Sequence, residues 1–101
     1  MTTTFEVVAE PSRRRILDLL LDGPLPVGEL VRRTGMSQPN TSRHLRILRE
    51  TGIVEARPRG QRRLYELRPQ GLAELMRWLA PYARLWEGSL DALERHLDEK
   101  E

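Results

Sequence analysis

The sequence predicts a mainly α-helical chain with one small β-hairpin, its elements in the order α-α-α-α-β-β-α, and three observations carry that expectation. Apolar residues recur at three- and four-residue steps over most of the chain, which is the helical period. From about 53 to 67 the period changes to polar–apolar alternation around a Pro-Arg-Gly-Gln turn. Near the middle, two helical stretches meet across a short turn containing Gly35 and Ser37. The 101 residues make a single domain, 1–101, with room for one modest core.

Thr2 to Ala9 forms a short first helix with Phe5 and Val8 on one side. Pro11 suits a first helical turn, where a missing N–H costs nothing, and it opens a second helix through Asp22. That helix is expected to bury Ile16, Leu17, Leu20 and Leu21. Arg13, Arg14 and Arg15 fall early in it, and such a run is expected to cover a solvated face. Asp22-Gly23-Pro24 is a stop and turn, and Leu25-Pro26 leads on.

Val27 to Glu50, VGELVRRTGMSQPNTSRHLRILRE, is the most informative stretch. Its first helix buries Val27, Leu30 and Val31, and Gly35 follows as a residue able to adopt positive φ without strain. Ser37 supplies an N-cap hydroxyl, and Pro39 sits in the first turn of a second helix that buries Thr41, Leu45 and Leu48. A 100° wheel leaves Pro39, Asn40, Arg43 and Arg46 on the opposite face, flanked by Gln38 and Ser42. Short donors and acceptors plus arginines, at the start of a helix, are what base edges in a major groove require. The segment of about 27–50 therefore reads as a helix-turn-helix, with double-stranded DNA as the expected partner. His44, beside the core face, is expected to pack inward or touch a phosphate.

After Thr51-Gly52, the alternating runs Ile53–Arg57 and Arg63–Leu67 form a hairpin over about 53–67, its tip carrying Arg57, Arg59, Arg62 and Arg63. A hairpin directly after a helix-turn-helix is a wing, whose arginines reach phosphates or an adjacent minor groove. Helix and wing together give the candidate DNA contacts: Ser37, Gln38, Asn40, Ser42, Arg43, Arg46, Arg59, Arg62 and Arg63. Beyond Pro69-Gln70-Gly71, Leu72, Leu75, Met76, Leu79, Tyr82, Ala83, Trp86, Leu90, Leu93 and Leu97 continue the helical period over about 71–97. Pro81 should kink or break this helix near its middle. So long an apolar stripe exceeds what one small domain covers, so a homodimer is expected, built from Phe5, Val8, Leu79, Tyr82, Trp86, Leu90 and Leu93.

The net charge of +2 conceals a segregation. From Arg32 to Arg63 there are nine arginines against Glu50 and Glu55, a net of +7, whereas Glu87 to Glu101 carries −4. Lys100 is the only lysine, so a preference for arginine explains the residue type, but not the clustering. A basic middle is the electrostatic footprint of phosphate contacts. The chain has no cysteine, which excludes disulfides, thiolate metal sites and thiol redox sensing. No apolar run of membrane-spanning length and no signal segment appear, so no membrane partner and a cytoplasmic location are expected. Two histidines, no phosphate-binding glycine loop and no paired carboxylates in a believable pocket leave enzymatic readings without an inventory, and no cofactor is expected.

These features resemble the ArsR-type winged helix-turn-helix transcriptional repressors over nearly the whole chain. The resemblance rests on VVAEPSRRRIL at Val7 to Leu17 and on Glu29 to Leu67, where the pattern SQxxxSxHLxxLxxxGxV is specific as a whole. It implies a dimeric bacterial repressor whose second helix of the helix-turn-helix enters the major groove of each half of an inverted repeat. The family's DNA-reading positions would fall on Gln38, Pro39, Ser42 and Arg43. Pro39 has no polar side chain, so reading shifts to Gln38, Asn40, Ser42 and Arg43, with Arg43 suited to the O6 and N7 of guanine. The tail from Pro81 to Glu99 resembles a subgroup lacking the family's metal sites. Gly28 to Val31 is GELV where arsenic and cadmium sensors carry a CxC motif. His96 and Glu99 form an H-x-x-E, but Ala83 and Leu85 replace the upstream partners, so metal is not expected to bind. Two other readings stand beside this one. A winged helix can dock on protein instead of DNA, and a dimer can hold an unknown small-molecule effector near Met76, Tyr82 and Trp86.

Overall fold

The computed structural model describes residues 3–86 and 90–99, with the side chains of Trp86, Leu90, Asp91, Ala92, Leu93 and Glu99 outside that description. The chain opens with α1 (Thr4–Ala9), where the Thr3 hydroxyl accepts a hydrogen bond from the Glu6 N–H at 3.2 Å. The next helix, α2 (Pro11–Leu20), is capped by Glu10, whose carboxylate accepts from the Ser12 N–H at 3.1 Å. A two-residue strand, β1 (Leu25–Pro26), leads into α3 (Val27–Thr34) and α4 (Gln38–Glu50). Then β2 (Val54–Arg59) and β3 (Arg62–Leu67) form the hairpin. A 3-10 turn at Pro69–Leu72 enters α5 (Ala73–Ala83), a second such turn covers Arg84–Trp86, and α6 (Leu90–Glu99) ends the fold.

Three features differ from the expected order. The hairpin gains a third strand, because Leu25 and Pro26 pair antiparallel with Tyr65 and Leu64, giving a sheet ordered β1-β3-β2. The long last helix is two helices. Pro81, expected to kink or break the helix, has no N–H to donate back into α5, and three residues later the backbone tightens to 3-10 geometry. Finally α2 stops at Leu20 instead of Asp22, and Leu21 is 72% exposed where burial was expected. There the last turn tightens, with the Leu21 N–H on the Asp18 carbonyl and Gly23 on Leu20, and this rotates Leu21 outward.

Eight side chains make the fully buried core: Val7, Ile16, Leu20, Leu30, Leu45, Leu48, Ile53 and Val54. All come from the first four helices and the start of the wing. Among the described side chains the last two helices contribute none, and Met76, Trp78, Leu79, Tyr82, Leu85 and Leu97 remain exposed apolar side chains. Phe5 is half-buried within its own chain, edge-on to Trp78 at 5.9 Å, and Trp78 stacks at a tilt on Tyr82 at 4.9 Å. Val8 is likewise half-buried against the core. The expected dimer residues Trp86, Leu90 and Leu93 lie outside the described side chains. Among the described residues no helix is long and apolar enough to cross a membrane.

The joint between wing and last helices is unusually tight. The Arg68 N–H donates to the Ile53 carbonyl at 2.7 Å, and the Thr4 hydroxyl to the Gly71 carbonyl at 3.4 Å. A Cβ placed on Gly71 would sit 2.2 Å from the Gly52 carbonyl oxygen and 2.7 Å from the Ile53 Cα, so backbone itself blocks any side chain. Gly28 is the contrast: a helical glycine with nothing within 4 Å of such a Cβ. Gly71→Ala is therefore expected to cost about 1–3 kcal/mol through overpacking. Gly28→Ala should stabilise by about 0.5–1 kcal/mol by lowering the entropy of the unfolded chain. Urea unfolding of both variants checks this, and equal midpoints would refute the close-approach argument.

Candidate nucleic-acid interface

The interface begins at the turn between α3 and α4. Gly35 takes φ +74° and donates its N–H to the Val31 carbonyl at 3.0 Å, ending α3 in a conformation that L side chains resist. Ser37 then fixes the start of α4 twice. Its hydroxyl accepts from the Asn40 N–H at 3.2 Å, and its carbonyl accepts from both the N–H and the hydroxyl of Thr41, at 3.0 and 2.9 Å. Thr41, His44, Leu45 and Leu48 turn inward and are buried. Gln38, Pro39, Asn40, Ser42, Arg43, Arg46 and Arg49 stand exposed on the other face. Ser37 is also exposed, but its side chain serves as the cap.

The three arginines of α2 do not form a plain solvated face, which corrects the expectation from their run. Arg14 Nη1 donates to the Val8 and Ala9 carbonyls at 2.8 and 2.9 Å, and Arg15 Nη2 to the Thr34 carbonyl at 2.6 Å. Arg13 Nη1 reaches the Val7 carbonyl at 3.4 Å, while its Nε donates to His44 Nδ1 at 3.3 Å. The last carbonyls of a helix have no partner within it, and guanidinium groups supply one at the ends of α1 and α3. These contacts span up to 31 residues, beyond any local pattern. His44, buried and accepting at Nδ1, is held neutral. Burial first, then the charges of Arg43 and Arg13, push it below the ordinary imidazole range, against a smaller opposing pull from Glu10. Of the two expectations for it, the inward packing is the one the structure shows.

Pairing sorts the nine arginines of the basic segment. Arg32 and Arg33 both hold Glu29, Arg33 Nε at 2.8 Å, and these hydrogen bonds lower the Glu29 carboxyl to about 2. Arg57 bridges Glu55 at 2.9 Å and Glu66 at 2.6 Å, the two glutamates facing each other across the hairpin. Among the described residues, no ion pair involves Arg43, Arg46, Arg49, Arg59, Arg62 or Arg63. Within this segment the arginines without an acidic partner thus lie on the outer face of α4 and at the wing tip. At that tip Arg59 lies directly opposite Arg62, an arrangement that repels unless an anion intervenes. Arg59, Arg62 and Leu64 face Pro24 and Pro26 across an open cavity of about 380 Å³. Arg63 pairs in register with Pro58 and projects to the other side of the hairpin.

Arg49 continues the three-residue step from Arg43 through Arg46 and was absent from the sequence candidates, though that spacing signals it. Among the described residues no group of three or more His, Cys, Asp or Glu side chains is placed to hold a metal ion. The Glu99 half of the H-x-x-E lies outside the described side chains.

Residues 10–56 match the family model described as bacterial regulatory protein, arsR family. The chain is 39% identical over 94 residues to the HTH-type transcriptional regulator Rv2034 of Mycobacterium tuberculosis, covering 93% of this chain and 85% of that protein. It is 29% identical over 90 residues to the transcriptional repressor SdpR of Bacillus subtilis, covering 89% and 100%. Among solved structures it resembles the homodimeric winged helix-turn-helix DNA-binding domain of Mb0332 from Mycobacterium bovis. The TM-score is 0.64 at 32% identity, covering 79% and 74% of the two chains.

The neutral, buried His44 gives a pH prediction. Its pKa is depressed on folding, so below the ordinary value near 6.5 the unfolded chain binds a proton that the folded chain resists. Stability from this group is intact above about pH 6.5 and falls as pH drops below it. Glu29 acts in a lower window, its contribution present above about 4.5 and fading toward 2. Denaturant unfolding between pH 7.5 and about pH 5 should therefore show the advantage of wild type over His44→Gln shrinking as pH falls. A constant difference would mean that His44 does not titrate as argued.

Proposed function

The chain belongs to the arsR family of bacterial regulatory proteins, and on that premise we propose that it is a transcriptional repressor gripping double-stranded DNA as a homodimer. The family consists of transcriptional regulators, so the chain is not an enzyme. The observation that carries the reading is the sorting of the nine arginines between 32 and 63: those with acidic partners lie off the outer face of α4, and those without them line it and the wing tip. In this reading α4 enters the major groove with Gln38, Asn40, Ser42 and Arg43 toward base edges. Ser37 and Arg46 flank that face, and Arg59, Arg62 and Arg63 take backbone phosphates. The exposed side chains of α5, with Phe5 and Val8 beside them, meet their counterparts in a second subunit, along with Trp86, Leu90 and Leu93 of the sequence expectation. Met76 and Tyr82 then belong to the subunit contact rather than to an effector pocket. The ligand is an inverted repeat with half-sites about 34–36 Å apart, one helical turn, and the working compartment is the bacterial cytoplasm.

Fluorescence anisotropy across a salt series, on a duplex selected from genomic fragments and on its scrambled version, tests the reading. Arg43→Ala should cost about 1–3 kcal/mol on the selected duplex, much less on the scrambled one, and relax the preference at one base pair. Arg62→Ala should weaken both alike and lower the salt slope by about one for each phosphate left without its cation. A wild type that prefers no duplex would hand the role to protein docking. For the dimer, Leu79→Glu should raise the dissociation constant in sedimentation equilibrium about tenfold or more, since the pair would bury two charges without partners. A monomeric wild type at micromolar concentration refutes that arrangement.

A further inference from the structure

We propose that Arg46, Arg49 and Tyr65 form a seat for one DNA backbone phosphate between the recognition helix and the wing, an inference that rests on the DNA-binding reading above. The groove is there in the fold. Pro39, Ser42, Arg43, Arg46 and Arg49 of α4 form one wall and Tyr65 of β3 the other, around an open volume of about 420 Å³. Its lining includes three arginines and no carboxylate. Arg46 and Arg49 lie about 4.5 and 9 Å farther along the helix axis than Arg43. Residues at the start of a recognition helix reach base edges, so side chains this far along it fall at the groove's sugar-phosphate wall.

Tyr65 supplies what an arginine patch alone lacks, a fixed position. It sits in the central strand of the sheet, in register with Ala56 on β2 and Leu25 on β1, and its half-buried ring packs against the core. No hydrogen bond or ion pair to another described residue engages the side chains of Arg46, Arg49 or Tyr65. Tyr65, anchored through its ring, therefore lines one side of a groove whose other side carries two cations without acidic partners. A phosphodiester oxygen between them satisfies both walls at once. It also sets the separation of α4 and the wing on the duplex, so Arg49 and Tyr65 act as positioning residues that carry no base preference.

The two side chains leave different signatures in the salt dependence. Arg49→Ala removes a charge that displaces a counterion. It should weaken the selected and scrambled duplexes by the same factor, about tenfold, and make the salt slope shallower by about one per subunit. Tyr65→Phe removes only a neutral donor. It should weaken both duplexes about three- to tenfold while leaving the salt slope and the thermal midpoint unchanged, because the ring still fills its place. Anisotropy titrations of both variants, with Arg62→Ala as a wing reference, decide the matter. If Arg49→Ala or Tyr65→Phe binds as tightly as wild type while Arg62→Ala is weakened, the seat is wrong and the general reading stands. Loss confined to the selected duplex would make these base-reading residues and overturn the proposal. A wild type that binds no duplex removes both readings together.

Discussion

Everything in the DNA-facing half depends on how the carbonyl-rich ends of α1 and α3 are satisfied. Both helices are short, so a large share of their peptide groups are end groups with no partner inside the helix. The first turns of α2 answer that demand with three consecutive guanidinium groups, each aimed at a different stretch of backbone or side chain. Arg13 alone joins α1, α2 and α4, and it does so through a histidine that must stay neutral to accept the bond. A lysine could not replace this geometry, because a single ammonium lacks the fork that engages Val7 and His44 together.

The same economy shapes the surface. A basic stretch becomes a directed basic surface only when some of its charges are cancelled locally. Glu29 cancels Arg32 and Arg33 on α3, and the Glu55–Glu66 pair cancels Arg57 midway along the wing. These exposed ion pairs add little to stability. Their effect is on where charge is left unpaired, which within this segment is the outer face of α4 and the hairpin tip. Net charge, at +2, gives no hint of this.

Much of this was legible because it is local. Ser37, Pro39 and Gly35 are positional signals, and the 100° wheel separated Thr41, Leu45 and Leu48 from the exposed residues of α4 as the structure does. What escaped the sequence is non-local. Two residues have no periodicity, so β1 could not be read from Leu25-Pro26. The Arg13–His44 and Arg15–Thr34 contacts cross between helices, and a run of arginines looks the same whether its partners are water or carbonyls. Trp78 meets Phe5 from far along the chain, and Gly71 looks like any turn glycine until Gly52 lies against it. Leu21 misled because periodicity continues on paper after the helix has ended.

The sheet carries a proline on each of its outer strands, Pro26 in β1 and Pro58 in β2. A proline presents no N–H, so neither rim offers an unbroken ladder to a passing strand. Arg59 beside Pro58, without an acidic partner, adds repulsion between copies approaching edge to edge. An unprotected sheet edge can template pairing with another chain, and here a proline blunts both rims. The exposed apolar side chains of α5 carry no such guard, so the two ends of the molecule differ in how they meet another copy.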